Sequence, residues 1–335
     1  MNFENIKLDR FMYKVSGKSF SDVLEAEDRS DAYKGTPYAD LDAYQRQLKR
    51  FDIKVASPAC DKVEKFFSTA ESAALFPEYL SRAVRTGIEE NDVLPAITAT
   101  TTMVDSMDYR SIASVPSDDD KSLKPVGEGA YIPQTTVKLK ENLIRLYKRG
   151  RMLVSSYEAL RFQKLDVFTV TLRQIGAYIA KSRLSDAVDV LINGDGNNNA
   201  AELVSVATAG TLTYADLLTL WGKFKGYEMN TLLMNSATMV KLLNLSEFKN
   251  PDAEVKVKKN GTYFPALGVN VIRCDSVPDN RIVALDKNCA LEAVVAEEIH
   301  IDHDKVIDRQ LEQTAITSIT GFAKLFPDAV KVLKI

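Results

Sequence analysis

The amino-acid sequence predicts an α+β fold in which a charged, extended segment leads into one long helix. The extended segment is indicated by apolar residues at even spacings, which suit a strand whose side chains alternate between two faces. The helix is indicated by apolar residues that recur every three or four positions. These are Leu165, Phe168, Leu172, Ile175, Ile179, Ala180, Leu184, Ala187 and Leu191. Because 335 residues exceed the size at which one hydrophobic core stops growing, two lobes are expected.

Both ends of the long helix carry sequence signals. Ser155 and Glu158 fit a capping box, in which each side chain satisfies a backbone amide of the first turn, so the helix is predicted to begin near Ser156. Asn193-Gly194 supplies the left-handed residue that commonly closes a helix. The predicted helix therefore covers residues 156–193 and is about 55 Å long.

The extended segment before the helix segregates its charges. Residues 116–150 are predicted to form a hairpin whose upstream half is acidic and whose downstream half is basic. The acidic residues are Asp118, Asp119, Asp120 and Glu128, and the basic residues are Lys138, Lys140, Arg145, Lys148, Arg149 and Arg151. Because a two-stranded ribbon is marginally stable alone, this one is predicted to lie on a neighbouring subunit. The alternative is that these charges form a solvated hairpin face.

Downstream of the helix the pattern predicts a compact α/β unit. Buried strands are predicted over residues 231–234, 269–273 and 281–285, and helices from Thr213 to about Lys225 and from Ser236 to Leu245. The lysine-rich run 256–259, followed by Asn260-Gly261, is predicted to be a hairpin tip or loop. Further strand residues lie at 299–307 and 315–319, and a closing strand is predicted over 329–333.

Composition excludes several classes of function. The longest apolar runs fall short of the roughly 20 residues that a membrane helix needs, so no membrane association is predicted. The chain has 43 basic and 46 acidic side chains and a net charge of -3, so it has no overall attraction for phosphate. Its three cysteines have no close pair, which suits reduced thiols in a cytoplasm.

The motifs that would carry chemistry are missing or incomplete. His300, Asp302, His303 and Asp304 suggest metal ligands, but a strand would point His303 away from the other side chains, so no metal site is predicted. The run 195–199 resembles the start of a calcium loop but lacks the required glycine and the final glutamate, and is predicted to be a turn. Since no phosphate-binding loop or nucleophile elbow occurs either, neither a cofactor nor catalytic residues are predicted.

The order of these parts resembles a known family, the major capsid proteins of tailed bacteriophages, which have the Hong Kong 97 fold. The resemblance lies in Glu128-Gly129-Ala130-Tyr131-Ile132-Pro133, the alternating stretch around Lys140-Glu141, Ser155-Ser156-Tyr157-Glu158, the long helix and the run 191–196. It covers residues from about 98 to the end. The resemblance implies an α+β, Hong Kong 97-like capsid fold with an N-terminal arm, an extended loop, a peripheral domain with a spine helix, and an axial domain.

The resemblance also implies boundaries for these parts. The N-terminal arm is expected over residues 1–97, and the peripheral domain over 98–115, 151–196 and 298–335. The extended loop is expected over 116–150 and the axial domain over 197–297. By the same resemblance the extended loop reaches across an adjacent subunit, so the charged residues named above are expected to make intersubunit contacts.

The function implied is structural. We expect a major capsid protein that assembles into hexamers and pentamers of an icosahedral phage head around double-stranded DNA, in the cytoplasm of the host bacterium. A separate scaffolding protein and a portal are expected partners, and a decoration protein is left open. Two alternatives remain: the shell protein of an encapsulin compartment, which has the same fold, and a cytoplasmic α+β enzyme.

Overall fold

A computed structural model describes most of the chain. The described residues are 2–15, 18–113, 125–132, 138–156, 158, 162–249, 256–258, 261–264 and 267–335. The acidic run Asp118–Asp120 lies outside them. Within the described residues, the α-helices are α1 (Phe20–Glu27), α2 (Ala43–Arg50), α3 (Ala70–Ala73), α4 (Phe76–Asn91), α5 (Leu165–Asn193), α6 (Tyr214–Gly222), α7 (Ser236–Leu243) and α8 (Ser246–Lys249). Short 3-10 helices cover Asn2–Asn5, Arg10–Lys14, Ser30–Tyr33, Val63–Ser68, Leu94–Ala96, Ile307–Arg309 and Pro327–Ala329.

The described strands form three sheets. They are β1 (Thr100–Met103), β2 (Ile112–Ala113), β3 (Lys138–Leu139), β4 (Leu146–Ser156), β5 (Glu202–Ser205), β6 (Thr231–Met234), β7 (Lys256–Lys258), β8 (Gly261–Phe264), β9 (Val269–Arg273), β10 (Arg281–Leu285), β11 (Leu291–Val306), β12 (Leu311–Lys324) and β13 (Val330–Lys334). The orders are β1-β11-β12-β4, β5-β13-β10-β6-β9-β8-β7 and β2-β3. The seven-stranded sheet is mixed, because β6 runs parallel to β9 and antiparallel to β10.

The long helix differs from its prediction at one end. It ends at Asn193 and is followed by Gly194 with φ +86°, as predicted. It begins at Leu165, however, and is 29 residues long, or about 43 Å. The predicted start near Ser156 is wrong, because Ser156 is the last residue of β4.

The α/β unit downstream of the helix agrees closely with the sequence. The three predicted buried strands are β6, β9 and β10 with their predicted bounds. Helix α6 is shorter than expected and ends at Gly222, and α7 ends at Leu243. The lysine-rich run belongs to an antiparallel pair, β7 with β8, in which Lys258 lies opposite Gly261. The closing strand is β13, one residue later than predicted.

The described chain forms two compact units. The first consists of residues 1–91, 149–180 and 299–318. Its core joins aromatic residues of the first 91 residues to the start of α5, where the rings of Phe76 and Phe168 stack with centroids 6.3 Å apart. Arg46 is fully buried and donates to the carboxylate of Asp28 at 2.6 Å. The first 91 residues are thus part of this core.

The second unit consists of residues 92–148, 181–298 and 319–335. Two large apolar clusters lie on the two sides of the seven-stranded sheet. Alternate residues of β10 belong to different clusters: the first cluster contains Val283 and Leu285, and the second contains Ile282 and Ala284. The predicted boundaries of the arm, loop, peripheral and axial domains stay a prediction beside this division.

Candidate functional site

Three of the six basic residues predicted as a contact surface, Lys148, Arg149 and Arg151, are exposed on β4. Arg145, Lys148, Arg149 and Arg151 are all exposed, and the guanidinium of Arg145 lies 4.9 Å from the ring centroid of Tyr147. Strand β4 is the outermost strand of its sheet among the described residues. Glu128 and Lys138 are exposed too. The structure therefore gathers a basic set at one sheet edge, with its predicted acidic partners Asp118, Asp119 and Asp120 outside the described residues.

Lys140 is an exception. Lys140 is 5% exposed, and its amine donates hydrogen bonds to the carboxylate of Asp195 at 2.5 Å and to the carbonyl oxygen of Lys324 at 2.6 Å. The structure places Lys140 inside the second unit, where its charge is neutralised, and its predicted intersubunit contact stays a prediction. Lys140 instead anchors the base of the charged segment to the turn after α5.

The turn after α5 receives the charged segment at two further points. The backbone amide of Asn142 donates to Asn197 Oδ1 at 2.9 Å, and its side-chain amide donates to the carbonyl oxygen of Gly196 at 2.8 Å. Gly194, Gly196 and Asn198 all have positive φ, which confirms the turn predicted at 195–199. The turn thus binds Lys140 and Asn142 through backbone and side-chain hydrogen bonds.

Asp195 and Lys324 complete this anchor. Burial opposes ionisation of Asp195, but hydrogen bonds from Lys140, Asn197 and the Lys324 amide outweigh burial and lower its pKa. Lys324 is fully buried, and its amine donates to the carbonyl oxygens of Leu191 and Asn199. Burial lowers the pKa of Lys324 to about 8, against the attraction of Asp195. Its amine satisfies a carbonyl in the last turn of α5 that the helix itself leaves unpaired.

A second buried polar cluster fixes the chain just after β1. Glu292 is 4% exposed, and its carboxylate accepts hydrogen bonds from the hydroxyls of Thr102 at 2.6 Å, Tyr109 at 2.7 Å and Ser111. Burial and the hydrogen bond to Glu292 raise the pKa of Tyr109. Since Ser111 also accepts the backbone amide of Lys140 through its carbonyl oxygen, the two clusters brace the same segment.

Sequence reasoning missed Asp195, Glu292 and Lys324 as anchoring residues. A signal existed for two of them, since Glu292 and Lys324 each interrupt an otherwise apolar run, 290–295 and 321–326. A charge within an apolar strand is either paired or functional.

An acidic set lies on β11. His300, Asp302 and Asp304 are exposed, and His300 Nε2 lies 3.2 Å from Asp302 Oδ1. Three or more potential metal ligands nowhere converge within the described part of the chain. No described helix combines the length and apolar character of a membrane span.

Comparison with known proteins identifies this arrangement. The sequence model of a family described as phage capsid protein matches residues 140–313. A search of curated protein sequences gave no match.

Solved structures share the fold. The capsid of a native GTA particle is 17% identical, with a TM-score of 0.54, over 72% of this chain and 89% of the other. An encapsulin complex from Synechococcus elongatus is 15% identical, with a TM-score of 0.53, over 72% and 86%. A virus-like particle from Pyrococcus furiosus is 13% identical, with a TM-score of 0.51, over 77% and 98%. The predicted α+β class and Hong Kong 97-like shell fold are confirmed by these likenesses.

Proposed function

The chain belongs to the phage capsid protein family, and we propose that it is the major subunit of an icosahedral phage head, assembled as hexamers and pentamers around double-stranded DNA. The observation that carries the proposal is the family match over residues 140–313, which includes the basic strand β4, the long helix α5 and strand β11. A phage-type capsid protein is a structural shell protein, and the alternative of a cytoplasmic enzyme has no comparable support.

The proposal gives a physical role to the charged segment. We propose that residues 116–150 are an extended loop that lies across an adjacent subunit. Apart from the buried Lys140, the charged residues predicted to make intersubunit contacts make them there: Asp118, Asp119, Asp120, Glu128, Lys138, Arg145, Lys148, Arg149 and Arg151. One exposed ion pair contributes only about 0–1 kcal/mol. In a shell the same pair recurs in every subunit, so weak contacts add to a strong assembly. The buried anchor at Lys140 holds the base of the loop in one place.

The other parts follow the same scheme. The N-terminal arm (1–97) and the peripheral domain (98–115, 151–196 and 298–335) form the frame of the subunit, and the axial domain (197–297) lies around the fivefold and sixfold axes. Assembly takes place in the host bacterial cytoplasm with a separate scaffolding protein and a portal, and the finished protein resides in the virion capsid. A net charge of -3 is consistent with a container that does not grip DNA tightly.

An encapsulin shell is the second candidate, because an encapsulin complex is among the similar structures. The contents of the particles separate the two. Particles are purified from producing cells, treated with nuclease, and analysed for protected nucleic acid and for co-purifying proteins. We expect protected double-stranded DNA of uniform length in particles from the natural host. Particles that hold a cargo enzyme and no DNA would establish the encapsulin and refute the phage head.

A further inference from the structure

Helix α6 carries apolar side chains on two faces. Leu217 and Leu220 are fully buried in the apolar cluster that contains Ile282, whereas Leu218 and Trp221 are 45% and 55% exposed. Residues three apart are neighbours on a helix surface, so Leu218 and Trp221 form one outward patch. A helix that is apolar on both its inward and outward faces is normally covered on both. The outward patch of α6 therefore marks a surface that another molecule covers.

Positive charge borders this patch. Lys223 and Lys225 follow α6 and are exposed. Lys223 lies 3.8 Å from the carboxylate of Glu202, but the side chain of Lys225 has no ion pair within the described residues. Leu218, Trp221 and Lys225 are named the tryptophan surface. It combines apolar side chains with one available positive charge, and so suits an apolar partner that carries negative charge.

A stretch at the end of β1 has this complementary character. Met103 and Met107 are 61% and 51% exposed, and Asp105 and Asp108 are exposed in the same stretch. Neither aspartate has an ion pair within the part of the chain that the structure describes. Residues 86–109 contain no lysine or arginine, so no neighbour in the sequence offsets this negative charge. Residues 103–108 are named the methionine stretch.

The two surfaces lie over different apolar clusters of the second unit. Helix α6 covers the cluster of Ile282, whereas Val104 and Tyr109 pack against a separate cluster that contains Ile144 and Val294. The outward side chains of both surfaces are exposed in the single chain, so neither surface covers the other. A second copy of the chain can bring the methionine stretch onto α6.

The side chains of the two surfaces match in chemistry. The flexible thioether of methionine adapts to an irregular surface and makes favourable contacts with aromatic rings. Tryptophan is among the residue types that contribute most to binding at the centre of an interface. Lys225 and Asp105 provide opposite charges beside the apolar contact.

We propose that the tryptophan surface binds the methionine stretch of a second copy of this chain, with Trp221 against the methionines and Lys225 facing Asp105. This inference rests on the proposed function and names two surfaces through which subunits associate. Because two different surfaces of the same chain meet, the contact is head-to-tail and repeats from copy to copy, as rings of five and six subunits require.

The fluorescence of Trp221 reports this contact directly, because the chain has no other tryptophan. Its emission and its quenching by acrylamide are compared between unassembled full-length subunits and shells assembled from the purified chain alone. On assembly the emission is expected to move to shorter wavelength and the quenching to fall, since the indole ring leaves water. Shells whose emission and quenching equal those of the subunit would overturn the inference and leave the proposed function standing.

A lysine placed in the apolar patch tests the same contact. Leu218→Lys is expected to raise the subunit concentration needed for shell formation about tenfold, because a charge then enters the apolar contact. Thr219→Lys is the matched control, since it adds the same charge at an exposed position of α6 about 100° around the helix. Circular dichroism and urea unfolding verify that both subunits are folded. Equal assembly of the two folded variants would overturn the inference.

A charge exchange tests the ion pair. Lys225→Glu and Asp105→Lys are each expected to weaken assembly severalfold, because like charges then face each other, and the double variant is expected to recover most of the wild-type assembly. The control double variant, Lys225→Glu with Glu27→Lys, has the same net charge and changes an exposed residue of α1 instead. Equal recovery of the two double variants would overturn the inference. A wild-type chain that never forms shells would overturn it together with the proposed function.

Discussion

Gly87 of α4 and Gly176 of α5 lie where the two helices of the first unit cross with their backbones in contact. A Cβ atom at Gly87 would lie 2.1 Å from the carbonyl oxygen of Arg173, and one at Gly176 would lie 2.2 Å from the carbonyl oxygen of Val84. Neither neighbour is a side chain that can turn away. The approach of the two helices therefore depends on the missing side chains.

Gly176→Ala is expected to lower the free energy of unfolding by about 1–3 kcal/mol, because the added methyl group must push two backbones apart. Urea unfolding of the unassembled subunit measures the change. Gly222→Ala is the matched control, since Gly222 also lies in a helix and its Cβ would meet nothing within 4 Å. There alanine is expected to be neutral or to stabilise by up to about 1 kcal/mol. Equal stability of the two variants would contradict the close crossing.

Lys140→Ala is expected to destabilise the second unit by about 3–5 kcal/mol, because it leaves the buried carboxylate of Asp195 without its charged partner. Lys138→Ala, at an exposed position two residues earlier, should change stability little. The double variant Lys140→Ala with Asp195→Ala should recover part of the loss, since no charge then stays buried alone. The unfolding free energies of wild type, Lys140→Ala, Asp195→Ala and the double variant give the coupling energy, and additive losses would show that the ion pair does not exist.

Lys324 makes stability depend on pH in the alkaline range. Its pKa falls from 10.5 in the unfolded chain to about 8 in the folded protein, so between these values the unfolded chain binds more protons. Stability must then rise as pH increases from about 8 to about 10.5, by up to about 3 kcal/mol. Below pH 8 the lysine is charged in both states and this gain is absent.

The difference in unfolding free energy between wild type and Lys324→Met isolates this contribution. The difference should grow in favour of wild type between pH 8 and pH 10, whereas the exposed control Lys334→Met should run parallel to wild type. A pH-independent difference for Lys324→Met would mean that Lys324 keeps an ordinary pKa.

Arg46→Lys tests the core of the first unit. The Arg46 guanidinium donates to the Asp28 carboxylate at 2.6 Å, to the Asp28 carbonyl oxygen at 2.6 Å and to Ser30 Oγ at 3.1 Å, in a fully buried position. A lysine keeps the charge but cannot reach all of these acceptors, so we expect a loss of about 2–3 kcal/mol. Arg29→Lys, at an exposed position, is the control. A thermal scan that shows equal melting temperatures would contradict the buried network.

The sequence sufficed where a pattern is local. Strands β6, β9 and β10 are short apolar runs between turn residues, and their bounds were predicted correctly. The end of α5 was predictable because Gly194 adopts a backbone conformation that glycine favours. The order of such elements also carried the family resemblance that implied the α+β shell fold.

Prediction from the sequence failed where a residue's structure depends on partners far away in the chain. Ser155 and Glu158 have the spacing of a capping box, yet β4 runs to Ser156 because it pairs with β12, more than 150 residues later. For the same reason the burial of Lys140 was not predicted, since its partners Asp195 and Lys324 lie 55 and 184 residues away. A lone charged residue in a sequence does not disclose whether such a partner exists.

Electron microscopy of the purified full-length chain, supported by its sedimentation coefficient, tests the central claim most directly. The account predicts closed shells of uniform diameter whose surface resolves into clusters of five and six subunits. A population made only of compact monomers under every assembly condition, including co-production with a scaffolding protein, would contradict it.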